Sequence, residues 1–222
     1  SVYIKNKGNG GLYVNGNINA GKDLTLDNKA GELTINNKVS ANNGNLSVMN
    51  TGSKLAISSK GSVFGKGGNV TLKNTGADGL LVYGTVENNG EAISINNSAG
   101  NLTVNGTVNA KAGNVGIINN GNLLQLTKNS VVSNASGKTN VVNKGAAGMK
   151  AYGKITGNGD ITLVNENGQM YVDGTVKASK ANISIASQKD GKGIYIKETA
   201  TVSNRSTSKV GDIVIQDTAK DG

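Results

Sequence analysis

The chain has 222 residues, with 33 Gly, about as many Asn, no Pro, Cys, His or Trp, and a formal net charge of +9. Without Cys or His it has no disulfide framework, no thiolate or imidazole metal site, no thiol nucleophile and no imidazole base. An aromatic share of 3% excludes a core built on Phe and Trp, and no apolar run approaches the roughly 18 residues of a membrane helix.

The apolar residues fall into a three-part unit that repeats along the chain. It opens with Val2/Ile4, continues with Leu12/Val14 and ends on a single Ile18. The opening pair returns as Leu24/Leu26, Leu46/Val48, Val70/Leu72, Ile93/Ile95, Val115/Ile117, Thr139/Val141, Ile161/Leu163, Ile183/Ile185 and Ile213/Ile215. The second pair returns as Leu33/Ile35, Leu55/Ile57, Leu80/Val82, Leu102/Val104, Leu124/Leu126, Met149/Ala151, Met170/Val172 and Ile194/Ile196. The single residue returns as Val39, Val63, Val86, Val108, Val131, Ile155, Val176 and Val202. Two residues after each opening pair stands Asn6, Asn28, Asn50, Asn74, Asn97, Asn119, Asn143 or Asn165, then Ser187 and Asp217. Successive spacings of that position are 22, 22, 24, 23, 22, 24, 22, 22 and 30 residues, the last marking an insertion between Lys189 and Val210.

Inside each unit, aliphatic residues alternate with Thr, Ser, Asn and Lys. This is the period of a strand with one buried face, and β-branched residues suit it. No i, i+3, i+4 pattern predicts a helix. Short strands in a unit of roughly 22 residues predict an all-β, right-handed parallel β-helix of about nine to ten coils. A lone coil would not fold, because ordering its backbone costs more than burying about five aliphatic side chains gains. Stability must therefore belong to the stack.

The Asn column predicts a ladder of side-chain hydrogen bonds between coils, with Asn and the Gly after it supplying left-handed backbone at the corner. A second corner is marked by Asp23, Asn45, Asn69, Asn114, Asp160, Asn182 and Asp212. Neither end carries a polar cap, so residues 1–222 are expected to be a single β-helix segment. It would be a slice of a longer chain or a unit that stacks end to end.

The motif L-x-V-x-G-x-V followed by L-x-L-x-N-x-G, running from Val2 to about Asp217, resembles the repeats of filamentous-haemagglutinin-like, two-partner-secretion exoproteins of Gram-negative bacteria. The resemblance implies an extracellular or cell-surface right-handed β-helix, often an adhesin shaft. The family's secretion domain carries Asn-Pro motifs, and this Pro-free chain does not contain that domain.

Functional chemistry is sparse. The 14 acids are scattered, and Glu87 and Glu91 carry no mark of an acid/base pair, so no enzymatic activity is expected. Turns rich in Asn rather than Asp do not suit calcium, and no metal or cofactor is expected. The basic charge comes from dispersed Lys without interleaved aromatics, which argues against nucleic acid. Sequons at Asn45, Asn69, Asn101 and Asn182 follow from the repeat's own consensus.

Two outward patches remain. Tyr152, Tyr171 and Tyr195, with Lys150 and Lys197, fall in three successive coils and form a candidate ligand face for a host or microbial glycan or a surface receptor. Ile118, Val142, Val164 and Ala186 form a candidate apolar stripe for lateral packing of one rod on another. The leading functional expectation is a structural shaft of an adhesin or surface fibre. The alternatives are a filament subunit that self-associates through its ends, and a carbohydrate-binding module.

Overall fold

The computed structural model describes residues 1–179, 181–204 and 211–219. They form an all-β parallel solenoid of about nine turns with no helix among them. Each coil has three faces. The first carries five-residue strands, from Val2–Asn6 through Leu24–Asn28 and onward to Ile213–Asp217. The second carries short strands such as Leu12–Val14, Leu33–Ile35 and Leu102–Val104. The third runs from Ile18–Ala20 to Thr201–Asn204 and forms its own nine-stranded sheet. Near the C-terminal end, Ile161–Val172 and Ile183–Ile196 each run from the first face into the second without a break.

Every pairing is parallel and stacks equivalent residues. On the second face Leu12, Leu33, Leu55, Leu80, Leu102, Leu124, Met149, Met170 and Ile194 lie over one another in one column. These side chains and their counterparts from the other two faces fill one continuous core. Its members from Leu24 to Ile185 are almost entirely shielded from solvent. Adjacent coils stand one strand spacing apart, so nine steps give a pillar of about 45 Å.

One core position conflicts with its surroundings. Thr139 occupies a column otherwise filled by Val, Leu and Ile, and its buried hydroxyl finds no hydrogen-bond partner. Thr139→Val keeps the shape and removes the orphaned polar atom. It is expected to raise the unfolding free energy by about 1–2 kcal/mol, seen as a higher Tm in a thermal melt.

Two expectations from the sequence are corrected here. On the third face Val108 pairs with Val132, not Val131: Val132 is buried in the core and Val131 is half-buried facing outward. The cause is a corner two residues longer than in neighbouring coils. Leu126 and Val132 are six residues apart, whereas Val104 and Val108 are four apart. The second correction concerns the Asn residues. Among the described residues, none other than Gly has positive φ, so Asn there supplies no left-handed backbone. The ladder Asn residues end extended strands with their side chains turned inward.

The coils are not all equivalent; they follow a cycle of three. Left-handed Gly11, Gly79 and Gly148, each closing an Asn-x-Gly-x-x-Gly run, mark the first coil of each cycle. Gly31, Gly100 and Gly168, each closing Asn-x-x-Gly, mark the second. The third coil carries a longer corner between the second and third faces: Ser58–Gly61, Thr127–Ser130 or Lys197–Ala200. Each of these corners is a turn in which the fourth residue's N–H donates to the first residue's C=O, at 2.9, 3.0 and 2.9 Å. Residues 205–210, within the insertion expected between Lys189 and Val210, lie outside the described residues.

Candidate functional site: a groove between corner turns

The Asn column forms a hydrogen-bonded chain. Asn6 Nδ2 donates to Asn28 Oδ1 at 2.7 Å, and the pattern continues through Asn50, Asn74, Asn97, Asn119 and Asn143 to Asn165 at 2.7–2.9 Å. The second amide hydrogen of most members donates to a Gly carbonyl in its own coil, as Asn74 does to Gly76 and Asn143 to Gly145. All members from Asn28 onward are buried, so this polar interior is close to fully satisfied. Ser187 takes the next position in the column but accepts nothing from Asn165, and its hydroxyl is buried without a partner.

At the second corner a side-chain oxygen accepts the backbone N–H of the following coil: Asp23 from Asn45, Asn45 from Asn69, Asn114 from Lys138 and Asn182 from Asp212. The sequon residues Asn45, Asn69, Asn101 and Asn182 are all used this way. A third set was not read from the sequence. Asn88 and Asn134 turn inward at the end of the third face and bond to carbonyls of Gly68 and Ala92, and of Gly113 and Lys138. Glu87 and Glu91 have separate partners, Lys111 and Asn69 respectively.

The four stripe residues Ile118, Val142, Val164 and Ala186 do stack in consecutive coils. Each is half-buried, however, so the stripe is a shallow apolar seam rather than a fully exposed patch.

The Tyr/Lys residues divide into two groups. Lys150, Tyr171 and Tyr195 share one outward column on the second face. Tyr171 meets Tyr195 edge-on with ring centroids 5.9 Å apart. Tyr152 does not lie on that strand, which ends at Ala151; it begins the corner, where its counterparts in the next coils are Asp173 and Lys197.

At that corner the long turns Thr127–Ser130 and Lys197–Ala200 stand as two walls, with two shorter coils between them. The groove they enclose has a volume of about 850 Å³ and is lined by Lys128, Tyr152, Lys154, Asp173, Tyr195 and Lys197, with the backbone of Gly153 and Gly174 as its floor. Glycine is required there by close stacking. A Cβ on Gly153 would lie 2.0 Å from Ser130 Oγ, and one on Gly174 would lie 2.0 Å from the Gly153 carbonyl oxygen.

Asp173 ties the wall to the floor. Lys197 Nζ donates to Asp173 Oδ2 at 3.2 Å, and the Thr199 hydroxyl donates to Asp173 Oδ1. The bond from Thr199, and then the Lys197 ammonium, hold the Asp173 carboxyl below the ordinary carboxylate range despite some desolvation. The same bond to Asp173 raises Lys197. Both groups are therefore charged at neutral pH. Lys128 and Lys154 take part in none of the ion pairs found among the described residues, so their ammonium groups are available.

Comparison with protein-family models, with curated proteins and with solved structures finds no match to this chain. Among the described residues, no helix is long and apolar enough to cross a membrane.

Proposed function

We propose that this chain is a structural shaft of an extracellular bacterial adhesin or surface fibre, providing reach and rigidity. The observation that carries this reading is the parallel stacking of equivalent residues on all three faces, interrupted only by the register shifts between Asn165 and Met170, with one core and one amide chain running through successive coils. Among the described residues, bending the rod at a coil would break strand pairing on three sides together. The likeness of its repeat to filamentous-haemagglutinin-like proteins supports a place at the cell surface.

The three-coil cycle offers a direct test. Deleting Thr75–Asn143 joins Asn74 to Lys144, the residue that follows Asn143, which is the counterpart of Asn74 one cycle on. The deletion should leave a folded rod shortened by about 14 Å, measurable by small-angle X-ray scattering. In the full-length surface protein, replacing this segment with an unrelated solenoid of equal length should preserve the reach of the surface projection in electron micrographs, and antibodies to the segment should label intact cells. A collapsed or bent projection in the unreplaced protein, or labelling only after permeabilisation, would sink the proposal.

A further inference from the structure

We propose that the groove between the turns Thr127–Ser130 and Lys197–Ala200 is a binding site for an acidic glycan, with sugar rings resting on Tyr152 and Tyr195 and their carboxylate or sulfate groups held by Lys128 and Lys154. The argument begins with what the groove cannot do. Its floor backbone is already bonded within the stack: Lys154 N–H donates to Ser130 O at 2.9 Å, Thr175 N–H to Gly153 O at 3.0 Å and Thr201 N–H to Gly174 O at 3.0 Å. No strand can be added there, so a peptide has no backbone ladder to join. Recognition must come from side chains.

Those side chains combine aromatic rings with hydrogen-bonding and charged groups. Tyr195 is 53% exposed, and the edge contact with Tyr171 props its ring. An aromatic ring offers a flat apolar face with a hydroxyl at its tip, which suits a pyranose. Glu198 and Asp173 on the wall and floor disfavour a dense polyphosphate, whereas a glycan with spaced anionic groups can place them at Lys128 and Lys154. The bonds of Lys197 and Thr199 to Asp173 fix the wall before a ligand arrives, which lowers the ordering cost of binding.

The corner arrangement recurs one cycle earlier, with Thr85 in the place of Lys154 and Gln125 in that of Tyr195. Tyr83-Gly84 and Asn105-Gly106 occupy the places of Tyr152-Gly153 and Asp173-Gly174. The turn above is tied down in the same manner, with Thr127 Oγ1 donating to Asn105 Oδ1 at 2.5 Å and Asn129 Nδ2 reaching the same atom at 3.4 Å. Lys128 stands on the turn shared by the two corner sets, which lie about 14 Å apart along one edge of the rod.

The test is calorimetric titration of the full chain with a tetragalacturonate, its fully methyl-esterified form and a κ-carrageenan hexasaccharide, which carries sulfate and no carboxylate. Binding of one or both acidic probes is expected, with the two arms separating carboxylate from sulfate recognition. Lys128→Gln combined with Lys154→Gln should weaken binding at least tenfold, and so should Tyr152→Ala, each at an unchanged Tm. Lys5→Gln combined with Lys73→Gln removes the same charge from the first face and should leave affinity within twofold. Absence of binding to both acidic probes, equal binding of the ester, or equal weakening by the Lys5/Lys73 pair would overturn the proposal. The last result would reduce it to general attraction by a basic rod.

Discussion

Asn97→Ala is expected to lower the unfolding free energy by about 2–4 kcal/mol, because it takes one of two hydrogen bonds from a buried group on each side of the gap. Asn74 Nδ2 loses an acceptor at 2.8 Å, Asn119 Oδ1 loses a donor at 2.9 Å, and the Gly100 carbonyl loses a third bond. Water cannot easily replace these partners, since Asn74, Asn97 and Asn119 are all fully buried. Asn96→Ala, at the adjacent outward position, removes only a bond to Ser94 and should change stability by no more than about 0.5 kcal/mol. Guanidinium unfolding of the two variants checks the contrast. Similar losses in both would mean that the amide chain contributes little to holding the coils together.

The second large effect is expected from Gly106→Ala. A Cβ at this corner would lie 1.9 Å from the Gly84 carbonyl oxygen and 2.5 Å from that of Tyr83. Both obstacles are backbone of the preceding coil, and neither can move without breaking the Thr107 N–H bond to Gly84 O at 3.0 Å. Overpacking against fixed backbone should cost about 3 kcal/mol or more. Gly116 gives the internal comparison. It faces outward on the first face, and its nearest obstacle is 3.9 Å away. Gly116→Ala should be neutral or stabilising by up to about 1 kcal/mol, through loss of unfolded-state freedom. Thermal melts of the two alanine variants should therefore move in opposite directions or differ by many degrees.

The coil itself was legible because alternation with period two separates inward from outward residues wherever polar and apolar side chains take turns. It failed at Val131-Val132, where two equivalent residues adjoin and only the extra length of the Thr127–Ser130 turn decides which one faces in. The Asn column was legible as a ladder. Its backbone conformation was not, because the same residue type suits both a corner and an inward amide. The three-coil cycle was present in the sequence as alternating Asn-x-Gly-x-x-Gly and Asn-x-x-Gly runs. It was obscured because attention to a period of roughly 22 residues averages away a longer one. The groove escaped for a different reason. Its lining comes from corners, where alternation assigns no direction to a side chain, and from residues as far apart as Lys128 and Lys197. Tyr152 and Asp173 look unrelated in sequence, and only the stacking makes them neighbours.

The carboxamides of the Asn column all point the same way, each nitrogen toward the next coil and each oxygen toward the previous one. Inverting a single member would set amino group against amino group on one side and oxygen against oxygen on the other. The sense adopted at one level therefore dictates the sense at the next, like arrows in a queue. The small dipoles of the carboxamides therefore add along the axis instead of cancelling, and the column gives the polar interior of the rod a single electrical sense from Asn6 to Asn165.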